Sequence, residues 1–437
     1  MSIVAIVGRP NVGKSTLFNK FVGRRMAIVS DTPGTTRDRV AAQVTIGDKG
    51  LILVDTGGLD LGQEDEIHLG VTGQVKTALA EASAILFLVD GRDGLTASDE
   101  ELADLLRVSD KPVSLIVNKI DNSRREASLQ DFYRLGMGDP TPISAYHGKG
   151  LDRVTRWIDA NLDAPEPEPP SGVMKVAIVG RPNVGKSMLL NALFGQDRVI
   201  VSETPGTTRD AIDTVLDYEG ESVVLIDTAG VRRRGKIGHG IEKYSVLRTM
   251  EAIYRADVVL LVVDASELMT AQDMHIWGYA KDAYRGMALV VNKWDLAPEL
   301  GLGMETVQPH IQERLRAGEY VPVLYTSAKD GQGVSELMPA ALNIFRERGK
   351  TVATSALNRM LTRAVTASPL PRARGRRLKL FYVTQTGAHP PVFTFFVNDP
   401  ALVHFSYQRF LENRLRDEFG FEGTPVQLKF QRRSRSE

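Results

Sequence analysis

Residues Gly8–Ser15 read "GRPNVGKS", and Gly180–Ser187 repeat the same eight letters. Each copy follows a short β-branched run, "IVAIV" from Ile3 and "KVAIV" from Lys175, and the first leads into the helix-compatible "GKSTLFNKFVG". A strand, a G-x-x-x-x-G-K-[ST] loop and a helix place backbone N–H groups and a helix N-terminus around phosphate oxygens. Gly8, Gly13, Gly180 and Gly185, lacking Cβ, are expected to let phosphate approach the backbone. Arg9, Pro10, Asn11 and Val12 complete the first loop, and Arg181, Pro182, Asn183 and Val184 the second. Lys14 and Lys186 are expected to reach the β- and γ-phosphates, and Ser15 and Ser187 to ligate Mg²⁺.

The repeat runs well beyond the loop. "PGTTRD" at Pro33–Asp38 recurs at Pro205–Asp210, "DTGG" at Asp55 is answered by "DTAG" at Asp227, and "NKID" at Asn118 by "NKWD" at Asn292. "ISA" at Ile143–Ala145 and "TSA" at Thr326–Ala328 close the series. A chance strand-to-helix turn does not bring four further motifs with it twice, so the chain holds a duplicated domain. Between the copies, "APEPEPPSG" favours an extended, solvated linker. The expected boundaries are 1–164 and 173–350 for the two copies, 165–172 for the linker and 351–437 for a separate tail domain.

Each motif ends a buried run: "LILVD", "AILFLVD" and "SLIVN" in copy one, "VVLID", "VVLLVVD" and "ALVVN" in copy two. Helical patterns such as "SDEELADLLRVS" alternate with them, which predicts α/β domains built on doubly wound, mainly parallel sheets with ligands at the strands' carboxyl ends. Asp55, Thr56, Gly57, Gly58 and Leu59, with Asp227, Thr228, Ala229, Gly230 and Val231, form the second phosphate-side element. Asp55 and Asp227 are expected to hold Mg²⁺ through its water shell.

The base is read from N-K-x-D. Asp121 and Asp295 can each accept two hydrogen bonds from guanine N1–H and the exocyclic amine, a pair adenine does not present. Asn118 and Asn292 are expected to orient the loop and meet the purine's other edge, and Lys119 and Lys293 to cover the ring. Ile120 and Trp294 fill the variable position. Beyond Ser144 and Ser327, backbone N–H near Ala145 and Ala328 would donate to the guanine carbonyl. In this order after a phosphate loop, the set points to GTP and GDP. A P-loop kinase or ATPase would have no use for N-K-x-D twice.

Hydrolysis has no glutamine to orient water at the position after D-x-x-G, where Leu59 and Val231 stand. That leaves open a scaffold that binds GTP and RNA without hydrolysing. Asn11 and Asn183 offer a carbonyl oxygen for a monovalent cation beside the phosphates, or simply a loop hydrogen bond.

Composition bounds the rest. There is no cysteine and the seven histidines show no H-E-x-x-H spacing, so disulfides and a zinc enzyme are not indicated. The N-terminus lacks a basic leader and no run reaches 18 apolar residues, so a cytoplasmic protein without a membrane span is expected. The net charge is zero, yet residues from Thr351 onward carry 14 Lys and Arg against 6 Asp and Glu, a net of +8. That tail reads as helix, strand, strand, helix, strand. Its "GFEG" at Gly420–Gly423 follows the last helix and contains a glutamate, so it reads as a turn rather than a phosphate clamp. RNA contact is better assigned to "PRARGRR" at Pro371–Arg377 and the terminal "QRRSRS", with solvated tails as the alternative.

Two tandem sets of GRPNVGKS, PGTTRD, DT[AG]G, NK[IW]D and SA before a small basic domain resemble the bacterial tandem-domain GTPase family called Der or EngA, of the TrmE–Era–EngA–EngB–Septin-like class. The basic "VRRRGKIGHGIEKYSVLR" after the second D-x-x-G is of that family's type. The resemblance implies two P-loop GTPase domains and a C-terminal α+β KH-like domain. It implies a GTPase that binds the large (50S) ribosomal subunit and its rRNA late in maturation, with no DNA partner and a monomer off the ribosome. It also implies K⁺-stimulated turnover through Asn11 and Asn183, and a switch I threonine on Mg²⁺ from Thr35 or Thr36 and from Thr207 or Thr208, with Thr36 and Thr208 taken as the metal pair.

Overall fold

The structure is a computed structural model that describes residues 1–25, 41–58, 76, 79–121, 127–162, 172–196, 198–201, 213–227, 246–315, 320–367, 372–373 and 376–433. Thr35, Thr36, Leu59, Thr207, Thr208, Thr228, Ala229, Gly230, Val231, linker residues 165–171 and the basic segment Arg232–Lys236 lie outside the described residues. Contacts divide the chain into two units, Met1–Pro169 with Ser245–Tyr254, and Pro170–Tyr244 with Arg255–Glu437.

In the first unit, Ser2–Val7 (β1), Ala41–Ile46 (β2), Lys49–Asp55 (β3), Ala84–Asp90 (β4), Val113–Asn118 (β5) and Thr141–Pro142 (β6) form one sheet of order 2-3-1-4-5-6. β1 pairs parallel with β3 and β4, and β5 parallel with β4 and β6, as the buried runs predict. Only β2 is antiparallel, joined to β3 by the two-residue loop Gly47–Asp48. The helices Lys14–Arg25 (α1), Ala97–Arg107 (α2) and Leu151–Asn161 (α3) flank the sheet; Leu17, Phe18 and Phe21 of α1 and Val154 and Ile158 of α3 are buried in one core with the alternate residues of β1 and β4. The run Ser245–Tyr254, which follows the second D-x-x-G in sequence, also packs in this unit, where Tyr254 Oη donates to the Ala41 carbonyl at 3.1 Å.

The second unit repeats the plan. Met174–Val179 (β7), Val199–Val201 (β8), Thr214–Tyr218 (β9), Glu221–Ile226 (β10), Val258–Asp264 (β11), Gly286–Asn292 (β12) and Val323–Tyr325 (β13) make a sheet of order 13-12-11-7-10-9-8. β7 pairs parallel with β10 and β11, and β12 parallel with β11 and β13, while β9 runs antiparallel to β10 and β8 antiparallel to β9. Its helices are Lys186–Phe194 (α4), Ala271–Asp282 (α6), Met304–Leu315 (α7) and Leu337–Gly349 (α8), while Val246–Arg255 (α5) precedes β11. In both sheets the strand feeding the glycine loop, β1 or β7, lies in the interior between two parallel neighbours, the position at which such sheets take ligands at their strands' carboxyl ends.

The tail has the element order read from sequence. Thr354–Ala367 (α9) precedes a two-residue pair, Arg372–Ala373 (β14) with Arg376–Arg377 (β15); Leu380–Ala388 (β16), Pro391–Val397 (β17), Phe405–Phe419 (α10) and Gln427–Arg432 (β18) follow. Three of these strands form a sheet of order 16-17-18 over a core of Phe393, Phe395, Leu357, Leu411 and Phe421. Among the described residues no helix is long and apolar enough to cross a membrane.

"GFEG" is indeed a turn, with Gly420, Phe421 and Gly423 at φ +83°, +68° and +62°. Its backbone is committed to the copy-two fold: Gly423 N–H donates to Tyr320 O and Met287 N–H to Gly423 O, both at 2.6 Å, and Phe421 N–H donates to Glu347 Oε2 at 2.7 Å. The Arg416 guanidinium lies 3.7 Å from the Tyr320 ring centroid above this seam. A Cβ on Gly423 would stand 2.5 Å from Ile344 Cγ1 and 2.9 Å from Met287 O. Gly423→Ala is therefore expected to cost about 2–4 kcal/mol from overpacking and left-handed strain together, read as lost exchange protection at the Met287 amide. Gly220→Ala, at φ +86° with open space around it, isolates the strain and should cost about 1–2 kcal/mol.

Candidate nucleotide sites

Both glycine loops are built by mutual constraint. A Cβ on Gly8 would meet Leu88 O at 2.2 Å and one on Gly180 would meet Val262 O at 2.3 Å, so the first glycine lets the loop cross the neighbouring strand. Gly13 and Gly185 hold φ +100° and +93°, and a Cβ on either would lie 2.4 Å from the Nδ2 of Asn118 or Asn292. The protein's own neighbours therefore require these glycines, whatever the loops bind. Val12 and Val184 point into the two cores, with no exposure above 1%.

Those asparagines tie three motifs together. Asn118 Nδ2 donates to Val12 O at 2.8 Å and its Oδ1 accepts the Ala145 N–H at 2.9 Å. Asn292 does the same with Val184 O at 2.8 Å and Ala328 N–H at 3.0 Å, and Thr326 Oγ1 adds a bond to its Oδ1 at 3.2 Å. The Ala145 and Ala328 N–H groups are thus held by the asparagine oxygens. Ile120 and Trp294 anchor their loops: Ile120 N–H donates to Ile143 O, and Trp294 is buried with its ring 4.4 Å from that of Tyr325.

The lysines also brace the loops. Lys119 and Lys293 adopt φ +69° and +62°. Lys119 Nζ pairs with Asp90 and donates to Asn11 O at 2.9 Å, and Lys293 Nζ pairs with Asp264 at 2.6 Å. Burial pushes the Asp264 carboxyl up, but Lys293 and Ser266 outweigh it and hold it below the usual range. Arg9 turns away from the loop mouth to Asp93 at 2.9 Å and Asp99 at 3.5 Å, and Arg181 likewise pairs with Glu267 and, at 3.6 Å, with Asp273. Asp99 and Asp273 belong to the capping boxes Thr96–Asp99 and Thr270–Asp273 of α2 and α6, so each arginine locks its loop to a helix N-terminus. Neither the caps nor their arginine partners were read from the sequence, although Thr-x-x-Asp is a local signal for the former.

The phosphate side gathers charge in a small volume. Lys14 opens α1, is 8% exposed, and donates from Nζ to Gly8 O at 2.7 Å and Arg9 O at 2.9 Å. Burial lowers its pKa against the opposing pull of Asp55. Lys186 Nζ donates to Arg181 O at 2.6 Å. Ser15 Oγ donates to Asp55 Oδ2 at 2.5 Å, and Asp55 Oδ1 accepts Gly57 N–H at 3.0 Å. A hydroxyl and a buried carboxylate converging on one point are hard oxygen donors that suit Mg²⁺. Thr56 instead donates its hydroxyl to Ile6 O at 2.8 Å and is structural. The copies differ at this corner: Asp227 holds φ +56° and its N–H donates to Asp213 Oδ1 at 3.0 Å, where copy one has Ala41 in place of Asp213.

They differ again at the base. Ser144 and Ser327 donate to Oδ1 of Asp121 and Asp295, each at 2.8 Å. In copy one Arg92 also donates to Asp121 Oδ2 at 2.7 Å, and with Ser144 it holds that carboxyl below its ordinary pKa. Copy two has Ser266 at the matching position, and its hydroxyl turns to Asp264 at 2.7 Å. Arg92 competes with a guanine for Asp121, so Arg92→Ser should tighten GDP at copy one. The pair is half-exposed, which limits the gain to about two- to fivefold at low salt and to nothing at high salt. Fluorescent GDP titration in a Lys186→Ala background isolates that site.

The comparisons with known proteins agree with this layout. Residues 3–119 and 175–293 each match the family described as "50S ribosome-binding GTPase", and residues 351–431 match the "KH-domain-like of EngA bacterial GTPase enzymes, C-terminal" family. GTPase Der of Chloroflexus aggregans is 50% identical over 447 residues, covering 100% of this chain and 99% of that protein. GTPase Der of Geobacillus thermodenitrificans is 49% identical over 430 residues, covering 98% of each. Among solved structures, the G domain of the T. maritima FeoB iron transporter is 27% identical over 39% of this chain and 98% of that one, with a TM-score of 0.27.

Proposed function

The chain belongs to the bacterial GTPase Der family and is a GTPase that uses guanine nucleotides and Mg²⁺, and from that premise we propose that it acts in maturation of the large (50S) ribosomal subunit, with nucleotide state gating its attachment. The observation that carries this reading is the joining of a nucleotide domain and a basic domain of net +8 into one contact unit. A change at the copy-two loop then bears on the surface that meets rRNA phosphates. The alternative of a scaffold that does not hydrolyse gives way to the family's activity.

In this reading Asp121 and Asp295 accept the base donors, while Lys14 and Lys186 leave their loop carbonyls for phosphate oxygens. Ser15 and Asp55, with Ser187 and Asp227, would hold Mg²⁺, which would supply positive charge for the phosphates. With Leu59 and Val231 unable to orient water, Asn11 and Asn183 would hold K⁺, a second source of charge for the reaction. Both asparagines stand at φ +65°, a left-handed conformation that Asn tolerates better than most residues. Asn→Gly keeps that backbone and removes only the carboxamide, so Asn11→Gly and Asn183→Gly should lower K⁺-stimulated turnover more than GTP affinity. Equal wild-type rates in K⁺ and Na⁺ would remove the cation role.

Sucrose-gradient profiles of depleted cells test the assembly role: large-subunit precursors are expected to accumulate, and an unchanged profile overturns it. Gating is tested by co-sedimentation with 50S subunits, expected to be stronger with a non-hydrolysable GTP analogue than with GDP and to weaken as salt rises.

A further inference from the structure

One end of the tail sheet carries aromatic rings and cations together. β16 is irregular between Leu380 and Tyr382, so the two consecutive rings Phe381 and Tyr382 are both exposed, at 41% and 37%. Tyr382 lies in register with Phe396, and their rings stack at 4.2 Å with 14° between planes. The Arg433 guanidinium sits 5.1 Å from the Phe381 ring centroid.

The same corner is basic by construction. β18 runs parallel to β17 and ends at Arg432, beside the end of β17 at Val397, which in turn faces the start of β16. Asn398 fixes the approach: its Oδ1 accepts Lys379 N–H at 2.8 Å, its Nδ2 donates to Arg377 O at 3.0 Å, and its carbonyl accepts Arg432 Nε at 3.1 Å. Arg376, Arg377, Lys379, Arg432 and Arg433 are all exposed there. Among the described residues none of these five makes an ion pair. The nearby carboxylate, Asp399, caps the short turn after β17 by accepting Ala401 N–H at 3.1 Å.

We propose that this corner is a docking platform for a single-stranded RNA segment, with unpaired bases stacking on Tyr382 and Phe381 while the surrounding cations take the backbone phosphates. The inference rests on the ribosome reading for its biological setting, not for its chemistry. Rings offer nothing to a duplex, whose base faces are already covered, and five exposed cations beside them suit a polyanion better than an apolar protein surface. The Gly420–Gly423 turn cannot compete for this role, because its backbone is spent on Tyr320 and Met287.

The test uses the full chain and a fluorescently labelled single-stranded RNA 12-mer. Tyr382→Ala should weaken binding by about tenfold, from the loss of one base–ring stack, and Tyr382→Phe should restore it. Phe381→Ala, whose ring stacks on no other ring among the described residues, should also weaken binding if Tyr382→Ala fails to fold. Arg432→Gln and Arg433→Gln should each lower the salt slope by about one. A 4-thiouridine RNA should crosslink to the peptide carrying Phe381 and Tyr382, a readout that a merely structural role would not give. Binding unchanged in both ring variants, or equal competition by an RNA duplex, overturns the platform. A chain that still co-sediments with 50S subunits in that case leaves the ribosome reading standing, whereas RNA binding with a normal gradient profile sinks that reading and keeps the platform.

Discussion

Asp295→Asn should reduce GTP affinity at the second copy by roughly a hundredfold, from a lost charge-assisted pair and donors left facing donors, and should move that site toward XTP. The direction follows from Ser327. Its hydroxyl donates to Asp295 Oδ1 at 2.8 Å, so an asparagine keeps its carbonyl on that donor and turns its NH₂ toward the base. Guanine meets it with N1–H and an amine; xanthine presents a carbonyl in place of the amine. Asp121→Asn obeys the same logic through Ser144 but less cleanly, because its NH₂ would also face the Arg92 donor that now lies 2.7 Å from Oδ2. Competitive nucleotide titration of the two variants checks both, and a chain that still prefers GTP at the altered copy would show that the aspartate does not read the base.

How much of this was legible follows from where each signal sits. The parallel strands, the helices after the loops and the motif pairs are local patterns, and among the described residues Asp55, Asn118 and Asn292 stand at the carboxyl ends of their strands as the buried runs require. The antiparallel edge strands were missed although a signal existed: β2 alternates along "AAQVTI", and the two-residue loops Gly47–Asp48 and Glu219–Gly220 mark hairpins, the latter with φ +52° and +86°. No local pattern carried the pairing of Arg9 with Asp99, or of Gly423 with Met287, because each joins residues at least ninety positions apart. The hold of Asn118 on the Ala145 N–H is of the same kind, since that side chain folds in from another loop.

Lys14→Ala and Lys186→Ala should each abolish most of the turnover of their own copy, by about 10²–10³-fold, the loss expected when one preorganised donor to a transition-state oxygen is removed. The geometry explains why nothing replaces it. Lys14 begins α1 inside the loop it serves, and its ammonium rests on the carbonyls of Gly8 and Arg9. The neighbouring cations are committed elsewhere, Arg9 to Asp93 and Asp99, and Lys119 to Asp90 and Asn11 O. Removing Lys14 therefore leaves the buried Asp55 as the strongest local charge, and it repels phosphate. The pH dependence separates binding from folding. Burial holds the free Lys14 amine below the usual lysine range, so it loses its proton, and its grip on GTP, at a lower pH than an ordinary lysine would. The alkaline fall in kcat/KM, which reports the free enzyme, should begin early in a chain whose second copy is disabled and should vanish in Lys14→Ala. Comparing the turnover left in each single variant with that of the double then apportions hydrolysis between the copies: a double variant that retains the wild-type rate would place the chemistry outside both loops.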